Sequence, residues 1–188
     1  LSEASLAAEL GLGRMPVRLA IKRLQAEGWL VSPFRCKTRV KSITPQDVAE
    51  VYQIRRILEE RALMEIFTQK RTWEYSFKLE EKLLRIKAVA TDFYAREVAE
   101  SHWHAEMLTV FANERLAQIY ESIREEAVRM AFNYVRNEGH QRSYVETIIA
   151  GLEQFILALR EERYEEARAM LQRDHWQGGE ALAREVLQ

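Results

Sequence analysis

The chain has one cysteine, Cys36, among 188 residues, so no internal disulfide can form, and the expected compartment is a reducing cytoplasm. No apolar run approaches the ~20 residues that cross a bilayer, which excludes a membrane span as the organising element. Prolines number three and glycines seven, while Ala, Leu, Glu and Arg abound. So few breakers favour helices almost throughout the second part of the chain. Glycine-rich phosphate loops and Cys/His zinc frameworks are missing, and with them the commonest nucleotide and structural-zinc readings. A helix bundle can hold two metals through Glu-x-x-His pairs, but that spacing does not occur around His102, His104, His140 or His175.

Acidic residues are scarce in the first part of the chain and outnumber basic ones in the rest, although the total is close to neutral. Residues 1–45 hold eight Lys/Arg against three Asp/Glu, net +5, and residues 46–188 hold 20 against 26, net −6. A basic segment joined to an acidic one implies that the first part alone meets a polyanion, because phosphate neutralisation supplies most nonspecific affinity for DNA.

In the basic part, Leu6, Ala7 and Leu10 mark a short helix after Ser2, and Gly11-Leu12-Gly13 breaks it sharply. Val17, Ala20, Ile21 and Leu24 then fall at i, i+3, i+4 and i+7, the apolar stripe of a second helix. Pro16 lies in its first turn, where the missing N–H has no intrahelical partner to lose. Arg14, Arg18 and Lys22 form a second stripe beside the apolar one. A solvated amphipathic helix is the bland alternative, but helix, tight turn and helix make a helix-turn-helix, whose second helix enters the major groove by its N-terminal end. The residues that could touch bases are then those near Arg14 to Arg18, Met15 among them, with Lys22 a further DNA-binding candidate on the same stripe. The stretch "WLVSPFRCKTRV" reads as a hairpin with a basic tip of Arg35, Lys37 and Arg39, the wing of a winged helix lying on phosphates or in the minor groove. Cys36 sits in that wing with no resolving thiol near it, as an ordinary wing residue.

The boundary falls at "KSITPQDVAEVY", where Thr44 can cap, Pro45 can open a helix and Asp47 can sit at its positive end. The spacing predicts helices over 45–68, 73–89, 92–111, 114–136, 142–160 and 163–186. Six helices with short connections make an antiparallel bundle long enough to bury its own core. The fold class is therefore mainly α, with a winged helix-turn-helix over 1–44 and a helical bundle over 45–188.

"LSEASLAAELGLGRMPVRLAIKRLQAEGWL" resembles the winged-helix segment of the GntR superfamily of bacterial transcription regulators, with its Leu-Ser-Glu, Arg-x-Pro-Val-Arg and Leu-x-x-x-Gly elements. The resemblance implies that Arg14 and Arg18 contact an operator in double-stranded DNA, with the wing assisting. It also implies that the helix placed before this pattern is missing and the N-terminus incomplete. Met15 stands where the family usually has Thr, and Lys37 where the wing usually has Gly. Further on, "VYQIRRILEERALMEIF" and "ESHWHAEMLTVFANERL" are similar to the FCD ligand-sensing domain of the FadR-type branch, through Arg55, Leu58 and Glu59 and through Trp103, His104, Asn113 and Leu116. This implies a homodimer, a near-palindromic operator, a repressor, and a small carboxylate effector in the helical domain held by Arg55, Glu100 and His104. The alternatives are a metal-dependent helical-bundle enzyme and an architectural DNA binder without an effector.

Many relatives bind a divalent metal, zinc, nickel or manganese, through an Asp and three His. By resemblance, Glu100 replaces the Asp four residues before His104, the second His position falls on Leu152 and the third on Asp174, with His175 next. A metal site would use Glu100, His104 and Asp174 or His175. The alternative is a metal-free pocket in which Glu100 and His104 form a buried hydrogen-bonded pair among Phe93, Met107, Leu108 and Phe111, and the metal-free form is the expectation.

Overall fold

The computed structural model describes residues 1–34, 37–135, 141–177 and 180, and within these the side chains of 133–135, 141–144, 174, 175 and 177 are outside the description. The chain forms two compact units, Leu1–Ile43 and Thr44–Gln188.

In the first unit, helix α1 (Glu3–Leu10) opens at Ser2, whose hydroxyl accepts from the Ser5 amide. It closes at Gly11, where the left-handed φ of 64° favours a residue without a Cβ. Helix α2 (Arg14–Ala26) follows, and two-residue strands β1 (Leu30–Val31) and β2 (Arg39–Val40) pair antiparallel with Leu30 opposite Val40. Ala7, Val17, Ile21 and Leu30 make the core, with Leu6 packed against it. The expected stripe is thus half right. Ala20 is exposed and Leu24 is 39% exposed, whereas Val17 and Ile21 are buried where α2 packs on α1 and β1.

The second unit holds α3 (Pro45–Thr68), α4 (Thr72–Ala88), α5 (Phe93–Leu108), a 3₁₀ turn (Thr109–Phe111), α6 (Glu114–Val135), α7 (Gln141–Arg160), α8 (Tyr164–Met170) and a π-helical stretch (Leu171–Gln177). At the start of α3, Thr44 accepts from the Asp47 amide while the Asp47 carboxylate accepts from the Thr44 amide at 2.8 Å, a reciprocal cap. Three connections pass through left-handed residues that are not glycine, Lys70, Ala112 and Glu162, which is how the chain turns corners with so few glycines. Helix α5 packs on α4 and α6, α4 on α7, and α7 on α8, around Leu63, Tyr75, Leu79, Trp103, Phe155 and Leu159.

The expected last helix over 163–186 is corrected. In its middle, α-helix gives way after Met170 to a wider π turn through Gln177; Glu180 is helical, and 178, 179 and 181–186 lie outside the described residues. That change of register accompanies Trp176, which is buried and reaches a carboxylate on α3.

Candidate functional site

On α2, Arg14, Met15, Arg18 and Lys22 are all exposed, Met15 at 60%. Arg18 donates through Nε to Glu3 at 2.9 Å, so α1 steadies the guanidinium. Gln25 donates to Ser32, and Ser32 pairs with Thr38 at 2.6 Å, tying the hairpin to α2. Lys37 and Arg39 are exposed on the hairpin, while Arg35 and Cys36 lie outside the described residues. The result is a cationic face with hydrogen-bonding forks on a small rigid support, suited to phosphates and base edges.

The helical unit buries charge. Glu59 is fully buried and sits among four donors: Arg55 Nε at 2.9 Å and Tyr120 OH at 2.6 Å on Oε1, His104 Nδ1 at 3.0 Å and Trp176 Nε1 at 2.9 Å on Oε2. An ionised carboxylate only accepts, so Nδ1 of His104 carries the hydrogen. Burial alone would raise the Glu59 pKa, but Arg55, His104 and Tyr120 outweigh it and hold the carboxyl well below the usual carboxylate range. Arg55 also lies over the Tyr52 ring, 5.4 Å from its centroid. Burial pushes the Tyr52 hydroxyl up to about 12, with Arg55 opposing.

Next to this cluster, Arg96 donates to Glu97 at 3.0 Å, and both are buried. Burial and then repulsion from Glu100 push the Glu97 carboxyl up to about 7, against the pull of Arg96 and Arg55. Outside it, a cleft of about 520 Å³ runs between α5 and α6 over Ala105, Leu108 and Ala117, and Tyr120 contributes to its wall.

Of the residues expected to bind an effector, Arg55 and His104 meet through Glu59. The expected hydrogen-bonded pair of Glu100 and His104 is corrected. Glu100 Oε1 lies 4.0 Å from Nε2 of His104, too far for a hydrogen bond, and the close carboxylate partner of His104 comes from α3 instead. Met107 and Leu108 are buried nearby, Phe111 is half-buried, and Phe93 pairs with Phe132. Among the described residues no three His, Cys, Asp or Glu converge as metal ligands. Leu152, at the second His position, is fully buried in apolar core, and Asp174 and His175 have side chains outside the description. Of the expected metal ligands, Glu100 and His104 are thus the ones among the described side chains, and the third, Asp174 or His175, lies outside the description.

Sequence reasoning singled out Glu59 only as part of a motif, and missed Tyr120, Trp176, Tyr52, Arg96 and Glu97 as members of the cluster. One signal was present. Arg55 and Glu59 interrupt the apolar spacing Val48, Val51, Tyr52, Ala62, Leu63 and Ile66, and charges four apart on a core-facing stripe must pair or pay for burial.

A winged helix-turn-helix followed by an all-α unit is the architecture of a class of helix-turn-helix regulators. Two family models match this chain: bacterial regulatory proteins of the gntR family over residues 1–40 and the FCD domain over residues 50–177. The chain belongs to the GntR family, with an FCD domain as its helical part. It is a family of regulators and not an enzyme class. An uncharacterized HTH-type transcriptional regulator of Bacillus subtilis, YdhC, is 36% identical over 63 residues, a stretch covering 34% of this chain and only 28% of that protein. The fold is shared with Escherichia coli McbR/YncC at 21% identity and a TM-score of 0.70, over 98% of this chain and 87% of that one. A Listeria monocytogenes protein, Lar, described as controlling expression of the agr system and mediating virulence, has 18% identity and a TM-score of 0.69, over 98% and 86%. A putative GntR regulator from Rhodococcus sp. RHA1 has 19% identity and 0.67, over 100% and 86%. Among the described residues no helix is long and apolar enough to cross a membrane.

Proposed function

We propose that this chain is a ligand-responsive transcription repressor that binds a near-palindromic operator as a homodimer and senses a small carboxylate metabolite in its helical domain. Residues 1–44 act as the DNA-binding part and 45–188 as the effector-binding and dimerising part. Arg14, Met15 and Arg18 act at the bases, Lys22 adds to the DNA-binding face, and Arg35, Lys37 and Arg39 act at the backbone. The effector lies against Arg55, His104 and Glu100 without a metal. The observation that carries this reading is the fully buried Glu59, which binds Arg55 and His104 from two different helices. Buried ionised groups are costly and mark a site when they converge in a helical core.

Regulation then requires an effector that binds the DNA-competent and DNA-incompetent states unequally, since equal affinity shifts nothing. The test is a screen of carboxylate metabolites for thermal stabilisation of the protein and for release from its operator. An acid that does both supports the reading. Operator affinity indifferent to every acid would leave an architectural binder, and turnover of a bound acid would make it an enzyme. Metal analysis of protein purified without chelator, beside His104→Ala, tests the metal-free form. Stoichiometric metal lost in the variant would overturn it.

A further inference from the structure

The carboxylate of Glu59 is solvated as completely as a buried carboxylate can be. Each oxygen accepts two hydrogen bonds, from Arg55 and Tyr120 on one and from His104 and Trp176 on the other, between 2.6 and 3.0 Å. Only Arg55 shares a helix with Glu59. The other three donors arrive from α5, α6 and the π-helical stretch, so the cage is built by the tertiary fold around an anion. Guanidinium, imidazole, phenol and indole donors converging in a water-poor core are also what a small carboxylate ligand needs. Both residues expected to hold an acid effector are members of this cage, and each already spends a hydrogen bond on Glu59.

We propose that Glu59 is an internal anion occupying the carboxylate seat of the effector site, so that an acid effector binds by taking over donors that Glu59 holds in the free protein. The Trp176 donor belongs to the π-helical stretch Leu171–Gln177, so an acid that takes it over exchanges a contact of that stretch. This inference rests on the effector reading above, yet the two fail separately. Filling of an emptied seat with no acid releasing DNA would sink the effector reading and reduce the cage to a structural anion seat, whereas release of DNA by an acid with no filling of the emptied seat would sink this inference and leave that reading standing.

The experiment empties the seat in the whole chain. Glu59→Ala leaves the four donors around a carboxylate-sized gap, and sodium acetate is the probe, with acetamide as its neutral isostere and sodium chloride matching ionic strength. Glu59→Ala is expected to lower the thermal midpoint by about 10 °C, because a buried cation loses its partner. Acetate is expected to restore most of that loss saturably, acetamide and chloride little. Glu59→Gln, whose amide still fills the seat, is expected to respond to acetate no more than the wild type does. If Glu59→Ala does not fold alone, its refolding yield with acetate against acetamide, followed by tryptophan fluorescence, gives the same reading. Equal effects of acetate and acetamide on Glu59→Ala, or acetate stabilising wild type as much as the variant, would overturn the proposal.

Discussion

Arg18 and Arg39 carry the same charge but are expected to fail differently when removed. Arg18 sits near the start of α2, braced by Glu3, where a guanidinium can read a base edge; Arg39 lies on the hairpin, where phosphate is the natural partner. Arg18→Ala should cost ~1–3 kcal/mol on operator and much less on random DNA. Arg39→Ala should weaken both alike and flatten the salt dependence. Titrations of both variants on both DNAs across a salt series separate these, and unchanged operator affinity in Arg18→Ala would remove it from the recognition surface. Glu97 gives a residue-scale pH prediction. Its carboxyl rises from an ordinary 4.5 to about 7, so the folded state binds more protons than the unfolded state between those values. Stability therefore falls as pH rises through that window, then levels off. Glu97→Gln should lose that slope and gain on wild type at pH 8, as read by denaturant unfolding at pH 5 and pH 8.

At the scale of elements, α3 depends on its reciprocal cap. Thr44→Ala removes a side-chain acceptor for the Asp47 amide and should cost about 1 kcal/mol of the helical unit's stability. The corner after the 3₁₀ turn predicts the opposite sign. Ala112 holds φ of 48°, which costs an alanine about 1 kcal/mol, and Ala112→Gly should recover part of that. Thermal midpoints of both variants check this pair. In the helix-turn-helix, Gly11 has φ of 64° with no atom within 4 Å of an added Cβ, so Gly11→Ala is penalised through its backbone alone and not by a clash. Helix existence was legible for a simple reason: Val48 to Ile66 repeats with helical spacing, and α3 runs Pro45–Thr68 where 45–68 was expected. The last helix was misjudged because the 163–186 periodicity contains no sign of a π turn. That turn accompanies a contact between Trp176 and Glu59, 117 residues apart.

For the whole molecule, the opposed charges of the two parts, net +5 over 1–45 and net −6 over 46–188, support the proposal that the basic part is the one that meets DNA. A two-fold dimer presents two equivalent heads, so footprinting should show two protected half-sites related by a near-palindrome. A single asymmetric half-site would contradict the dimeric reading. The response to an effector belongs to this scale too, because it requires a difference in free energy between two states of the assembly and not any single contact.

Composition and spacing by themselves determined that the chain is helical, where the basic part ends, and which face of α2 carries Arg14, Arg18 and Lys22. These follow from interactions between residues within about one turn of each other, which a linear sequence displays directly. The tertiary structure alone decided which groups meet in the helical core. Glu100 and His104 are four apart and look like a pair, yet His104 bonds Glu59, 45 positions earlier, and Tyr120 reaches the same carboxylate across 61. A carboxylate in a dry core takes whatever donors the packing of four helical segments delivers to it, and that packing is set by apolar burial along the whole chain rather than by the neighbours of any one charge.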